Sequence, residues 1–119
     1  MKKSYTEITR NISRGIGQMQ QSMPELMAGF GQLAKNATTD GHLDEKTKEL
    51  IALALGVAAH CDGCIGFHCK ALARLGASQQ EVEEALGMAV YMGGGPSLMY
   101  AAESLQAFEE FKEKQKEPA

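Results

Sequence analysis

Helix-period spacing of apolar residues runs through almost the whole chain, and no segment reads convincingly as a strand. Tyr5, Ile8, Ile12, Ile16 and Met19 form a loose stripe over residues 3–20. Gly15 and Gly17 weaken it, each costing about 1 kcal/mol against Ala in a helix interior. In "SMPELMAGFGQLAKNA", Ser22 and Pro24 are placed to open a second helix. "TTDGHLD" is a cluster of small polar turn residues. From Asp44, "DEKTKELIALALGVAAH" sets acidic residues in a first turn, where they suit the positive end of a helix dipole, ahead of an apolar body. A fourth helix starts near the cysteines and ends at Gly76. Ser78 and Glu81 have capping-box spacing and open a fifth. "GGGPS" breaks the chain, and Leu98, Ala101, Ala102, Leu105, Phe108 and Phe111 mark the last helix. The pattern predicts an all-α bundle of about six helices, a single domain over residues 1–119 with a solvated tail over residues 112–119.

Charge and length narrow the function. A net charge of −3, mixed in sign along the chain, lacks the basic stripe a nucleic-acid partner needs and gives no sign of electrostatic membrane attachment. "MKKSYTEITRNISRG" has a basic pair but no apolar stretch behind it, unlike a signal peptide. The longest apolar run, residues 50–59, is half the roughly 20 residues needed to span a bilayer. A cytoplasmic protein is expected. "LGMAVYMGGGPSLMYAA" is apolar over more of its circumference than a solvent-facing helix should be, which fits an oligomer contact or an ordinary bundle core equally well.

The chemistry concentrates in "HCDGCIGFHCK", residues 60–70, which holds all three cysteines and two of the three histidines. An odd, crowded set of cysteines is no secreted disulfide framework; in a reducing compartment it points to metal binding or catalysis. On a helix, residues three, four and seven apart share a face, so Cys61, Cys64 and His68 line one stripe. Cys69 falls about 140° from Cys64 and is expected to be a small buried thiol. Unpaired N–H groups at a helix start stabilise a thiolate, and such settings lower a cysteine pKa from about 8.5 to roughly 3.5–7.5. His68 can accept the thiol proton or return one to a leaving group.

Zinc could draw on Cys61, Cys64 and His68, with His60 or Asp62 as a fourth ligand. Structural zinc sites, however, usually combine two ligand pairs from separated segments, and no second pair exists here. Haem attachment needs CxxCH, and Ile65 follows Cys64. No metal or organic cofactor is therefore assigned. Glu49 stands 12 positions before Cys61. If the chain reverses near His60 into an antiparallel helix pair, Glu49 and His68 come within a few ångströms in height at about 1.5 Å per residue. Glu49 could then fix the His68 tautomer; geometry alone equally allows a solvated residue beside Glu45, Lys46 and Lys48.

Glu49, eleven intervening residues, then Cys61-x-x-Cys64-x-x-x-His68 resembles the signature of the carboxymuconolactone decarboxylase/AhpD-like alkylhydroperoxidase family. The resemblance covers residues 43–108, through the "GGGP" break. It implies an all-helical AhpD-like fold assembled as a homotrimer or homohexamer. The cysteine pair marks the hydroperoxidase branch rather than the lactone decarboxylase branch. By resemblance, Cys64 would attack the peroxide and become a sulfenic acid, and Cys61 would resolve it as a disulfide. Glu49 and His68 would form the proton relay. One departure stands out: family peroxidases can carry a histidine between the two cysteines, where this chain has Gly63.

The expected function is a thiol-dependent hydroperoxide reductase acting on an organic hydroperoxide, recharged by an external dithiol reductant or adaptor protein. Two alternatives stay open. One is a decarboxylase-like lyase using Glu49 and His68 as acid/base. The other is a non-enzymatic zinc-binding or redox-sensing bundle.

Overall fold

Six α-helices make up most of residues 3–116, the span described by the structure, a computed structural model. They are α1 (Tyr5–Ser22), α2 (Pro24–Thr38), α3 (Glu45–Ala58), α4 (Asp62–Arg74), α5 (Gln79–Gly93) and α6 (Gly95–Gln115), with no strand among the described residues. No helix among them is long and apolar enough to cross a membrane. α6 carries residues 112–115 in its last turns, exposed from Glu113 onward; residues 117–119, the end of the expected tail, lie outside the described residues.

Most helix ends follow the expected chemistry. Asp44 caps α3 through the Thr47 N–H at 2.8 Å. Ser78 and Glu81 close a reciprocal capping box on α5, at 3.1 and 2.9 Å. Gly76, at φ 76°, follows α4 in a left-handed conformation, and the N–H groups of Gly76 and Ala77 return to Ala73 and Leu72. Two starts differ from the expectation. Ser22 is the last residue of α1 rather than a cap, so α2 begins at Pro24 behind Met23, with Pro supplying the fixed φ of a first turn. The "GGGP" break shrinks to Gly94 alone, whose φ of 77° and ψ of −155° suit only glycine, and Pro96 already lies in the first turn of α6.

The core is α3, α4, α5 and α6 packed around Leu53, Val57, Ile65, Leu72, Val82 and Phe108, each essentially inaccessible to solvent. Burying such a side chain stabilises by about 1.5–3 kcal/mol. α1 closes one side by its first two turns. Tyr5 and Thr9 are buried against α4, and a Cβ on Gly66 would stand 2.6 Å from Thr9 Cγ2, so glycine there permits the crossing. The start of α1 is held from the far end of the chain. The Glu110 carboxylate accepts the N–H groups of Tyr5 and Thr6 at 3.1 and 2.7 Å and the Ser4 hydroxyl at 3.2 Å. α2 touches only α1 and α3 and buries no residue, leaving Leu26, Phe30 and Leu33 about 60% exposed.

Candidate functional site

The turn between α3 and α4 builds the site. Its α3 end is a Schellman motif in which the His60 N–H reaches Val57 O and the Cys61 N–H reaches Gly56 O, both at 3.0 Å. This places His60 in the left-handed position, at φ 56°, where glycine is usual. The next residue, Cys61, is at once the last residue of that motif and the N-cap of α4. Its Sγ accepts the Cys64 N–H at 3.1 Å. The CxxC pair therefore sits where α4 presents its unpaired N–H groups and the positive end of its dipole, an environment that favours a thiolate when the pair is reduced. Cys61 and Cys64 are joined as a disulfide, their Cα atoms 5.2 Å apart, and both are half-buried.

Gly56 touches both cysteines. Its carbonyl holds the Cys61 N–H, and a Cβ on it would lie 2.9 Å from Cys64 Cβ. The tight approach of α3 to the first turn of α4 requires glycine at that point. Nothing in the helical pattern named Gly56, although a glycine inside a strong helical run costs about 1 kcal/mol and signals a packing reason of this kind.

One turn beyond Cys64, His68 Nδ1 lies 2.7 Å from Glu49 Oε1. Glu49 is 5% exposed, and His68 is its partner among the described residues, while the imidazole keeps partial solvent access. The antiparallel pairing of α3 and α4 thus brings Glu49 to His68, as the height estimate anticipated, and not to a solvated turn. A carboxylate on Nδ1 leaves Nε2 as the ring atom free to exchange a proton with solvent or a bound group.

The remaining residues of the cluster take other parts. Cys69 is fully buried in the core, its Sγ donating to Ser104 O at 3.4 Å, and burial pushes its thiol up to about 12. His60 is exposed and stacks flat on the Tyr100 ring, 4.6 Å between centroids. Asp62, between the cysteines, pairs with Lys3 at 3.2 Å, and Lys3 also meets Glu103 at 2.8 Å. The Glu103 hydrogen bond, with Asp62 beside it, holds the Lys3 ammonium above its ordinary range, so a positive charge stands by the acidic residue of the motif. Gly63 faces α1, and a Cβ there would meet Ile12 Cδ1 at 2.6 Å. A larger residue between the cysteines would have to displace that side chain. Among the described residues no group of three or more His, Cys, Asp or Glu side chains is arranged to hold a metal ion.

Comparison with known proteins bears on the fold and the family. Residues 24–107 match the model of the carboxymuconolactone decarboxylase family. An uncharacterised protein of Cupriavidus necator is 41% identical over 98 residues, 82% of this chain and 87% of that protein. A crystal structure of a carboxymuconolactone decarboxylase family protein from Legionella pneumophila is 60% identical, with a TM-score of 0.90 over 91% of this chain and 96% of that one. A family protein from Thermotoga maritima, for which involvement in an antioxidative response is suggested, is 29% identical with a TM-score of 0.80 over 91% of this chain and 92% of that one. By sequence match and by fold, the chain belongs to the carboxymuconolactone decarboxylase family.

Proposed function

We propose that the protein is a thiol-dependent hydroperoxide reductase working in the cytoplasm. The observation that carries this reading is the start of α4, where a CxxC pair at the N-cap and first turn stands one turn before a histidine hydrogen-bonded to a buried carboxylate. The Cys64 thiolate attacks the distal oxygen of ROOH and breaks the O–O bond; the alkoxide takes a proton, by way of His68, and leaves as ROH. Cys64 is then a sulfenic acid. The Cys61 thiol displaces its oxygen as water and closes the disulfide. An external dithiol, free or on an adaptor protein, reduces the pair by exchange and is itself oxidised. The antioxidative role suggested for the Thermotoga maritima relative supports the same reading.

The test is hydroperoxide consumption in the presence of a small dithiol. Cys64→Ser should abolish it, and Cys61→Ser should accumulate a sulfenic acid or mixed disulfide. Undiminished turnover by Cys64→Ser would end the assignment. A lyase acting on a small lactone acid is the second reading, because the Glu49–His68 pair could act as acid/base without the thiols. Release of CO₂ that survives complete thiol alkylation would select it.

The working form is an oligomer, a trimer or hexamer. Leu26, Phe30 and Leu33 on α2, and Tyr91, Met92 and Met99 around the α5–α6 break, are each at least 59% exposed in the single chain, more apolar surface than an isolated helical domain ordinarily leaves open. Sedimentation of the purified protein as a monomer at micromolar concentration would contradict this.

A further inference from the structure

A sizeable cavity lies away from the redox pair. It is a cleft of about 740 Å³ between the first half of α1, the last half of α4 and the end of α6. That volume is in the range of sites for small organic ligands, about 300–1,000 Å³. None of Glu49, Cys61, Cys64 and His68 lines it. It runs along the outward face of α4, adjoining the stripe that carries Cys64 and His68.

The lining is one-signed. Arg10, Lys70, Arg74 and Lys114 contribute to it and, among the described residues, no acidic residue does, in a chain whose net charge is −3. These are four of the twelve lysines and arginines, drawn from three helices onto one concavity. Arg74 is partly neutralised by Glu45 at 3.1 Å; among the described residues no carboxylate pairs with Arg10, Lys70 or Lys114. The floor is different in kind. Phe111 is 5% exposed and Phe67 is half-buried, with Ala71 beside them. Cations at the rim over an aromatic floor fit a ligand with an anionic head and an apolar body. The cleft is also far larger than a bare anion requires, given the roughly 30 Å³ share of one water molecule.

We infer that this cleft binds an amphipathic organic anion, with its carboxylate or phosphate at Arg10, Lys70 and Lys114 and its acyl or aryl body on Phe67 and Phe111. The inference goes beyond the redox reading and stands whether or not the cysteine pair turns over peroxide. Mixed recognition of this kind gains selectivity from the charge at the rim and affinity from the apolar floor.

The test uses the full chain with decanoate, decyl phosphate, decanol and inorganic phosphate as probes, followed by calorimetry and by amide shifts in NMR. Decanoate or decyl phosphate should bind at least tenfold more tightly than decanol, with the largest shifts at Phe67, Ala71 and Phe111, and whichever of the two binds more tightly identifies the head group. Arg10→Gln/Lys70→Gln should weaken the anionic probes at least tenfold and leave decanol unchanged. Cys64→Ser should bind all probes as the wild type does. If the double variant fails to fold, Lys114→Gln, at an exposed position near the end of α6, gives the same comparison. Equal binding of decanol and decanoate would overturn the inference, as would inorganic phosphate binding as tightly as the amphiphiles. So would failure of every probe to bind, including the case where the double variant changes the oligomeric state and reveals the cleft as a contact between copies.

Discussion

Replacing Gly56 with Ala adds one methyl group at the place where α3 meets both cysteines. That methyl would lie 2.9 Å from Cys64 Cβ, so the two carbons must separate by roughly 0.5–1 Å to reach ordinary contact. Overpacking of this size costs about 1–3 kcal/mol, against about 1 kcal/mol gained by Ala over Gly in a helix interior. The balance differs between redox states. Cys64 Cβ is fixed by its backbone, so relief means drawing the first turn of α4 back from α3, and in the reduced protein Cys64 can do this without carrying Cys61. In the oxidised protein it is tied to Cys61, whose N–H is in turn held by the Gly56 carbonyl, so the strain stays. A difference of about 1–2 kcal/mol between the states raises the reduction potential of the pair by roughly 20–45 mV, at 30 mV per 1.4 kcal/mol. Equilibration in graded redox buffers, followed by alkylation and mass counting of free thiols, reads this directly. Thermal melts should show a larger loss for the oxidised variant than for the reduced one. A potential within about 10 mV of wild type, with equal melting losses in both states, would refute the reasoning.

Other expectations concern the residues around the pair. Glu49→Gln should lower kcat/KM for hydroperoxide about 10- to 100-fold, the worth of a hydrogen bond to a charged partner. It should cost little stability, because the buried carboxylate is costly to desolvate; steady-state kinetics beside a melting curve would expose the opposite pattern. Glu110 bears on pH. Burial alone would raise its carboxyl, but the hydrogen bonds from Thr6, Tyr5 and Ser4 overcome it and hold the group below its ordinary range. Because the folded value lies below the unfolded one, its stabilisation is full above the unfolded value and is lost as pH falls through the folded one. Wild type should therefore exceed Glu110→Gln by about 1 kcal/mol at pH 7, after allowance for solvent screening, and the gap should close in acid denaturation series as pH falls from the ordinary carboxylate range through the lower folded value. His60→Val should destabilise by about 1–2 kcal/mol, since a β-branched residue resists positive φ, whereas His60→Gly should be near neutral in urea titrations. Cys69 should resist iodoacetamide at pH 8 in the native protein and react only on denaturation; native labelling at Cys69 would contradict its burial.

Helix chemistry was legible wherever it was local. The capping box at Ser78 and Glu81, the glycine stop at Gly76 and the acidic start at Asp44 each lie within a few residues of what they control. The reach of Glu49 to His68 followed from the same rise and rotation per residue, whereas Cys61 is the extended N-cap of α4, so of the expected stripe only Cys64 and His68 are on the helix itself. What stayed hidden depends on distant neighbours. The start of α1 is anchored by Glu110, more than a hundred positions away, and no helical pattern couples the two. Gly56, Gly63 and Gly66 mark close helix approaches visible only once α1 and α3 are laid against α4. The stripe on α1 was correctly apolar, yet Ile12 and Met19 at its far end face solvent in the single chain, because periodicity states that a face must be covered and not by what.

The disulfide spans three residue positions, all within the N-cap and first turn of one helix. Chain-entropy reasoning gives a cross-link closing so small a loop about 2 kcal/mol of effect on the unfolded ensemble, against nearly 5 for a loop of a hundred residues. Opening and closing it therefore shifts the stability of the fold less than a long-range cross-link would. Under the proposed redox cycle, the bond that forms and breaks lies wholly within one helix end and ties no two helices together, so a reductant meets it at a half-buried turn without two elements having to part.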